Sequence, residues 1–101
     1  VSLTNVTEWY NLITGENATP HDLLKAGERI FNLKRLFNTR LGVSRKDDML
    51  PPRFMTYNRK GEGMTTKLPP IGQMLSEYYE YRGWDEFGIP TVEKLDQLGL
   101  L

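Results

Sequence analysis

The side chains of this sequence that could do chemistry are few enough to weigh singly. The chain holds one histidine and no cysteine. His21 falls at the second position of an expected helix, where the dipole opposes added positive charge and favours a neutral imidazole base. No nucleophile or ligand stands beside it, so it reads as a capping or surface residue. Asp47 and Asp48 are adjacent carboxylates between Arg45, Lys46 and Arg53. They could hold a hard cation or act as an acid–base pair, but cations on both sides favour a structural ion network. Glu77 and Glu80 lie one helical turn apart and read as a solvated face. Tyr78, Tyr79, Tyr81 and Trp84 offer ring faces on which bases or sugars stack, yet their helical spacing favours core packing. Met49, Met55, Met64 and Met74 follow no periodic face. Gly61 and Gly63 lack the third glycine and following helix of a phosphate-cradling loop. The Asn-x-Thr tripeptides at Asn5 and Asn17 carry meaning only in a secreted chain. No catalytic, cofactor-binding or metal-ligating residue is therefore assigned. The candidate site is a structural polar network of Arg40, Arg45, Asp47, Asp48 and Arg53.

The elements that must position these residues are helical. The chain turns about the stretch from Gly27 to Phe54. At about 100° per residue, Leu23, Gly27, Ile30, Leu33, Phe37 and Leu41 form one stripe, widened by Leu24 and Phe31. That arc is broader than a one-sided surface helix needs, which predicts packing on more than one side. Gly27 costs such a helix about 1 kcal/mol and predicts a close backbone approach. Thr19 caps this helix, with Pro20 first and Asp22 facing the free amides; it should run to about Leu41. Before it, a short helix is expected from near Asn5, with Glu8 as capping partner, to Gly15. Val6, Trp9, Tyr10 and Ile13 share its inner face, and the two helices should form a hairpin. Ser44 and Asp47 have the spacing of another cap. Pro51 and Pro52 then open an irregular loop over 51–70. A third helix is expected from about Ile71 to Arg82, with Ile71, Met74, Leu75, Tyr78 and Tyr81 inward and Gly83 closing it. Trp84, Phe87 and Ile89 should fold back over its end, with Gly88 left-handed in the turn between. Thr91 caps a last helix with Val92, Leu95 and Leu98 on one face, stopped by Gly99. The fold class is all-α: a small irregular helical bundle with one long central helix, two or three shorter helices and a long loop.

Composition sets outer bounds. A chain of 101 residues makes one domain at most, near the lower limit for a self-sufficient core. No apolar run approaches the ~18 residues of a membrane span, and nothing resembles a signal peptide, so cytoplasm is the default compartment. Without cysteine there is neither a disulfide framework nor a thiolate metal site. Net charge is zero, but the segment from Lys25 to Lys60 is strongly basic and the rest acidic. Such a basic face could meet an acidic partner or nucleic acid. Attraction between the basic middle and acidic ends of one fold is the better account, because total charge balances and no nucleic-acid motif appears.

Two blocks carry a family resemblance: GERIFNLKRLFNTRLGVSRKDDMLPPRF from Gly27, and MLSEYYEYRGWDEFGIPTVEKLDQLGL from Met74. They resemble the C-terminal end of the aldehyde:ferredoxin oxidoreductase family. These are tungsten- or molybdenum-pterin enzymes that oxidise aldehydes to carboxylic acids and pass electrons through a 4Fe-4S cluster to ferredoxin. The likeness covers Thr19 to Phe54 and Met74 to Leu100. Leu41 departs from it, standing where the family more often has an acidic residue. In the family the four cluster cysteines, the pterin motifs and the catalytic acid and histidine all lie upstream of the part resembled. The resemblance therefore implies a single C-terminal domain, residues 1–101, structural and not catalytic alone. A start at Val1 rather than methionine suits a piece of a larger oxidoreductase. Its expected partner is the upstream catalytic part, with ferredoxin for the intact enzyme. The isolated piece should expose an apolar patch or self-associate. The alternative is an independent helical interaction module whose basic face binds a protein or nucleic acid.

Overall fold

Among the residues described in the computed structural model, 2–53 and 70–101, the chain is all-α. Helix α1 spans Leu3–Thr14, α2 spans Pro20–Arg40, a 3-10 turn covers Arg45–Asp47, α3 spans Ile71–Arg82 and α4 spans Val92–Gln97. The expected loop over 51–70 falls mostly outside the described residues. At its start Pro52 and Arg53 are helical, because proline suits a first helical position that needs no amide partner. The second proline begins a turn where a stop was expected.

Local chemistry sets the helix ends. Thr19 Oγ1 accepts the Asp22 amide at 3.2 Å while the Asp22 carboxylate accepts the Thr19 amide at 2.8 Å, a reciprocal cap with Pro20 in the first turn. Gly15 and Gly83 end α1 and α3 in the left-handed conformation. Helix α1 starts earlier than the Asn5–Glu8 pattern suggested: Ser2 is its cap, and its Oγ accepts the Asn5 amide. Ser44 and Asp47 do pair, with the Ser44 amide donating to Asp47 Oδ2 at 3.0 Å.

Helices α1 and α2 touch only sparsely, and no extended hairpin packing is seen among the described residues. Asn11 ties their connection: its Oδ1 accepts the Ala18 amide at 2.9 Å and its Nδ2 donates to the Ala18 carbonyl at 3.0 Å. Behind α3, the chain reverses through residues 84–90 and forms an isolated antiparallel bridge between Trp84 and Pro90. Thr91 returns to Gly83, its amide and Oγ1 both donating to that carbonyl.

The core lies between α2, α3 and α4, and it is built largely of polar and aromatic groups. Its buried members include Asn32, Tyr79, Trp84, Leu95 and Leu98. Helix α2 contributes Glu28, Asn32, Arg35, Leu36 and Thr39 to this side, the residues of the helix shielded at i, i+4, i+7, i+8 and i+11. The apolar stripe expected to be buried faces the other way. Ile30, Leu33, Phe37 and Leu41 are all more than half exposed, about 170° around the helix from the packed side. Among the described residues nothing lies within 4 Å of where a Gly27 Cβ would stand, so the expected backbone approach is not seen there. On α3 Tyr79 is buried and the expected Ile71 and Leu75 are half-buried, while Met74, Tyr78 and Tyr81 are exposed; on α4, Leu95 and Leu98 are buried but Val92 is not. On α1 the predicted inner face is outward too, and Thr7 is the buried residue. On α4 the predicted apolar face joins the core through Leu95 and Leu98, whereas α2 joins it by a polar side.

Candidate functional site

Three elements converge on Asp48. Arg35, from the middle of α2, donates from Nη1 to Asp48 Oδ1 at 2.9 Å and from Nη2 to Oδ2 at 2.5 Å. The Tyr79 hydroxyl, from α3, donates to the same Oδ2. A two-pronged guanidinium–carboxylate pair is the strongest of the ordinary charged contacts, and here both side chains are largely screened from water. Arg35 also donates from Nε to the Gly88 carbonyl at 2.8 Å, and its guanidinium lies 4.8 Å from the centre of the Trp84 ring.

Electrostatics follow from the geometry. The Arg35 hydrogen bonds, then that of Tyr79, hold the Asp48 carboxyl below the usual carboxylate range despite burial. Burial first, and then its bond to Asp48, push the Tyr79 hydroxyl up to about 12. The Arg35 guanidinium is pushed up from its ordinary value by Asp48. Asp48 is thus a fixed anion and Tyr79 a fixed donor near neutral pH, an arrangement suited to clamping three elements and not to proton transfer.

Around this clamp the turn after α3 is held at each carbonyl. The Arg45 amide donates to the Phe87 carbonyl at 2.8 Å. The Arg45 side chain reaches the Gly72 carbonyl at 2.8 Å and Ser76 Oγ at 3.2 Å. Asp85 Oδ1 accepts the Phe87 and Ile89 amides at 2.8 and 3.0 Å. Gly88 sits at φ +78°, and an added Cβ would stand 2.8 Å from Tyr79 Cζ, so the close approach of Tyr79 and Arg35 requires glycine. Below, the buried Asn32 accepts the Trp84 indole N–H at 2.8 Å and donates to the Glu28 carbonyl. Phe31 stacks on Trp84 at 5.9 Å, and Arg82 covers the Phe31 ring at 4.3 Å. A groove of about 420 Å³ runs past Phe31, Lys34, Asn38 and Tyr78.

Of the five network residues expected from sequence, Arg45 and Asp48 meet at this junction through Tyr79, over whose ring the Arg45 guanidinium lies at 5.5 Å. Asp47 closes the 3-10 turn and pairs with Lys46 at 3.2 Å, away from the clamp. Arg40 lies exposed at the end of α2. Arg53 is at the edge of the described residues. Sequence reasoning missed Arg35, Tyr79 and Asn32. The signal was there: Glu28, Asn32, Arg35 and Thr39 form a polar face of helical spacing on α2. Since Arg35 and Arg45 turn inward, the basic stretch serves in part to hold the fold, which removes two cations from a separate basic binding face.

This is a small helical frame, locked by a buried arginine–carboxylate–tyrosine junction, with wide apolar faces on its outside. The chain belongs to the aldehyde ferredoxin oxidoreductase family: its residues 1–100 match the model for aldehyde ferredoxin oxidoreductase, domains 2 and 3. It is 42% identical over 94 residues to a tungsten-containing aldehyde ferredoxin oxidoreductase of Pyrococcus furiosus. It is 36% identical over 103 residues to an aliphatic sulfonate oxidoreductase, WOR-like subunit, of the same organism. These matches cover 89% and 94% of this chain but only 15% and 16% of the relatives. Among solved structures it is similar to a chain of the active site complex BamBC of benzoyl coenzyme A reductase with 1,5-dienoyl-CoA. That likeness has a TM-score of 0.79 and 30% identity, over 99% of this chain and 14% of the other.

The cofactors of such relatives can be tested against the donors of this chain. There is no cysteine to hold an iron–sulfur cluster. Among the described residues, no group of three or more His, Asp or Glu side chains is placed to hold a metal. These residues supply no thiolates for a cluster and, among the described residues, no carboxylate–imidazole set for a metal.

Proposed function

We propose that this chain is the C-terminal helical part of a tungsten- or molybdenum-pterin aldehyde:ferredoxin oxidoreductase. The whole enzyme would oxidise an aldehyde to a carboxylic acid and pass the electrons through a 4Fe-4S cluster to ferredoxin, in the cytoplasm. What carries the reading is the match of residues 1–100 to that family, in relatives of which this chain spans about 15%. The part played by this chain is structural. It covers the upstream part that bears pterin and cluster, helps to wall the substrate channel and keeps water from it, so that charges inside act in a drier medium. Asp48, Arg35 and Arg45 serve that role by fixing the turn at 85–89 and the start of the loop after Asp48 relative to α2.

The test is metal content and aldehyde-dependent viologen reduction, measured on the 101-residue chain and again after mixing with the upstream part. Neither metal nor turnover is expected alone, with gain of cofactor retention or activity on mixing. Turnover or tightly bound metal in the chain alone would overturn the structural role. Inert mixtures would leave the family assignment as a statement about fold only.

A further inference from the structure

Helix α2 packs inside out. Its polar side faces α3 and α4, and its apolar stripe of Ile30, Leu33, Phe37 and Leu41 faces away, each residue more than half exposed. The stripe covers three turns, about 16 Å at 1.5 Å per residue. A row of large apolar side chains on that scale is the mark of a face that is covered in the working protein. The charges around it are of one sign. Arg29 and Arg40 flank one edge and Lys34 the other; all three are exposed, with no ion pair among the described residues. The acids of α2 are engaged elsewhere: Glu28 turns to Lys94 at 3.5 Å and Asp22 closes the Thr19 cap.

Two copies of this chain meeting stripe to stripe would set these cations against each other with no free carboxylate of α2 between them, which costs free energy as water leaves. The relatives supply a better occupant, since the matched segment makes up only 15% of their length. We propose that the stripe of α2 is the seat of the longer polypeptide's upstream part, and that the surface seated there is apolar and edged with carboxylates facing Lys34 and Arg40. This rests on the reading of the chain as one part of a longer oxidoreductase. Helix α2 would then lie between two layers, its polar side locking the helical frame and its apolar side joining that frame to the rest.

The absence of native cysteine makes the test direct. Leu33→Cys and Phe37→Cys give single thiols, whose alkylation by a maleimide is read by mass on the 101-residue chain, alone and after addition of the upstream part. Both sites are expected to react freely alone and at least tenfold more slowly in the complex. Lys34→Glu with Arg40→Glu should weaken the complex at least tenfold and reverse its response to salt. A complex in which both thiols stay fully reactive would overturn the inference and leave the proposed function standing. Absence of any complex would overturn both. Protection that grows with the concentration of the chain itself, without the upstream part, would assign the stripe to a second copy and overturn the inference.

Discussion

At the scale of single residues, the junction of Arg35, Asp48 and Tyr79 makes a sharp claim about protonation. Asp48 has its pKa lowered on folding, so its contribution to stability is complete above the unfolded carboxyl value of about 3.9 and is lost as pH falls below it. Tyr79 is raised to about 12, so its contribution is complete below about 10 and is lost as pH climbs from 10 to 12. Unfolding free energy should therefore fall in that alkaline window by up to about 1.4 kcal/mol per pH unit. Tyr79→Phe should flatten this slope in denaturant titrations at pH 9 to 11.5; an unchanged slope would mean that Tyr79 is not the group titrating. Asp48→Asn keeps the shape but leaves Arg35 a largely buried cation without its counter-charge. A loss of about 2–3 kcal/mol is expected in the same titrations at pH 7. Neighbouring Asp47, exposed and, among the described residues, bonded around its own turn, should matter far less.

At the scale of elements, α2 reverses the usual effect of polarity. Asn32 is fully buried and takes the Trp84 indole N–H. Asn32→Leu, an apolar change in a core, should destabilise by about 1–3 kcal/mol because it strands that donor. Leu33→Gln, a polar change in the predicted apolar stripe, should leave the chain by itself within about 0.5 kcal/mol of the parent. Thermal unfolding of the two variants side by side checks the pair, and the opposite order would mean that α2 packs by its stripe. The start of the same helix offers an ordinary control: Thr19→Ala removes half of a reciprocal cap and should cost about 1 kcal/mol.

At the scale of the whole molecule, the described residues leave several large apolar side chains outside. Trp9, Leu12 and Ile13 of α1 and the stripe of α2 are each more than half exposed. Few soluble monomers leave several hundred Å² of such surface bare. The chain alone should therefore bind a hydrophobic dye or show a sedimentation coefficient that rises with concentration. Adding the upstream part should suppress both. A monomer that binds no dye at any concentration would show that these faces do not act as one patch.

Apart from the Ser2 cap of α1, the caps, glycine stops and turns were legible in the sequence because they are decided within four or five residues. Thr19 with Asp22, Gly15, Gly83 and Ser44 with Asp47 each satisfy backbone groups next to themselves in the chain. The all-α class was legible for a similar reason, since helical periodicity is a property of neighbouring residues. The family was legible because two long blocks keep their order. The use of each helical face was not. A stripe of Ile30, Leu33, Phe37 and Leu41 says only that something apolar should cover it, and none of the described residues does so. Only the tertiary structure decided that α2 packs by Glu28, Asn32 and Arg35. The partners that make this polar side favourable, Asp48, Trp84, Gly88 and Lys94, lie 13 to 66 residues away along the chain. A buried charge or amide is stable only when such partners arrive at bonding distance, and no local pattern in the sequence records that meeting.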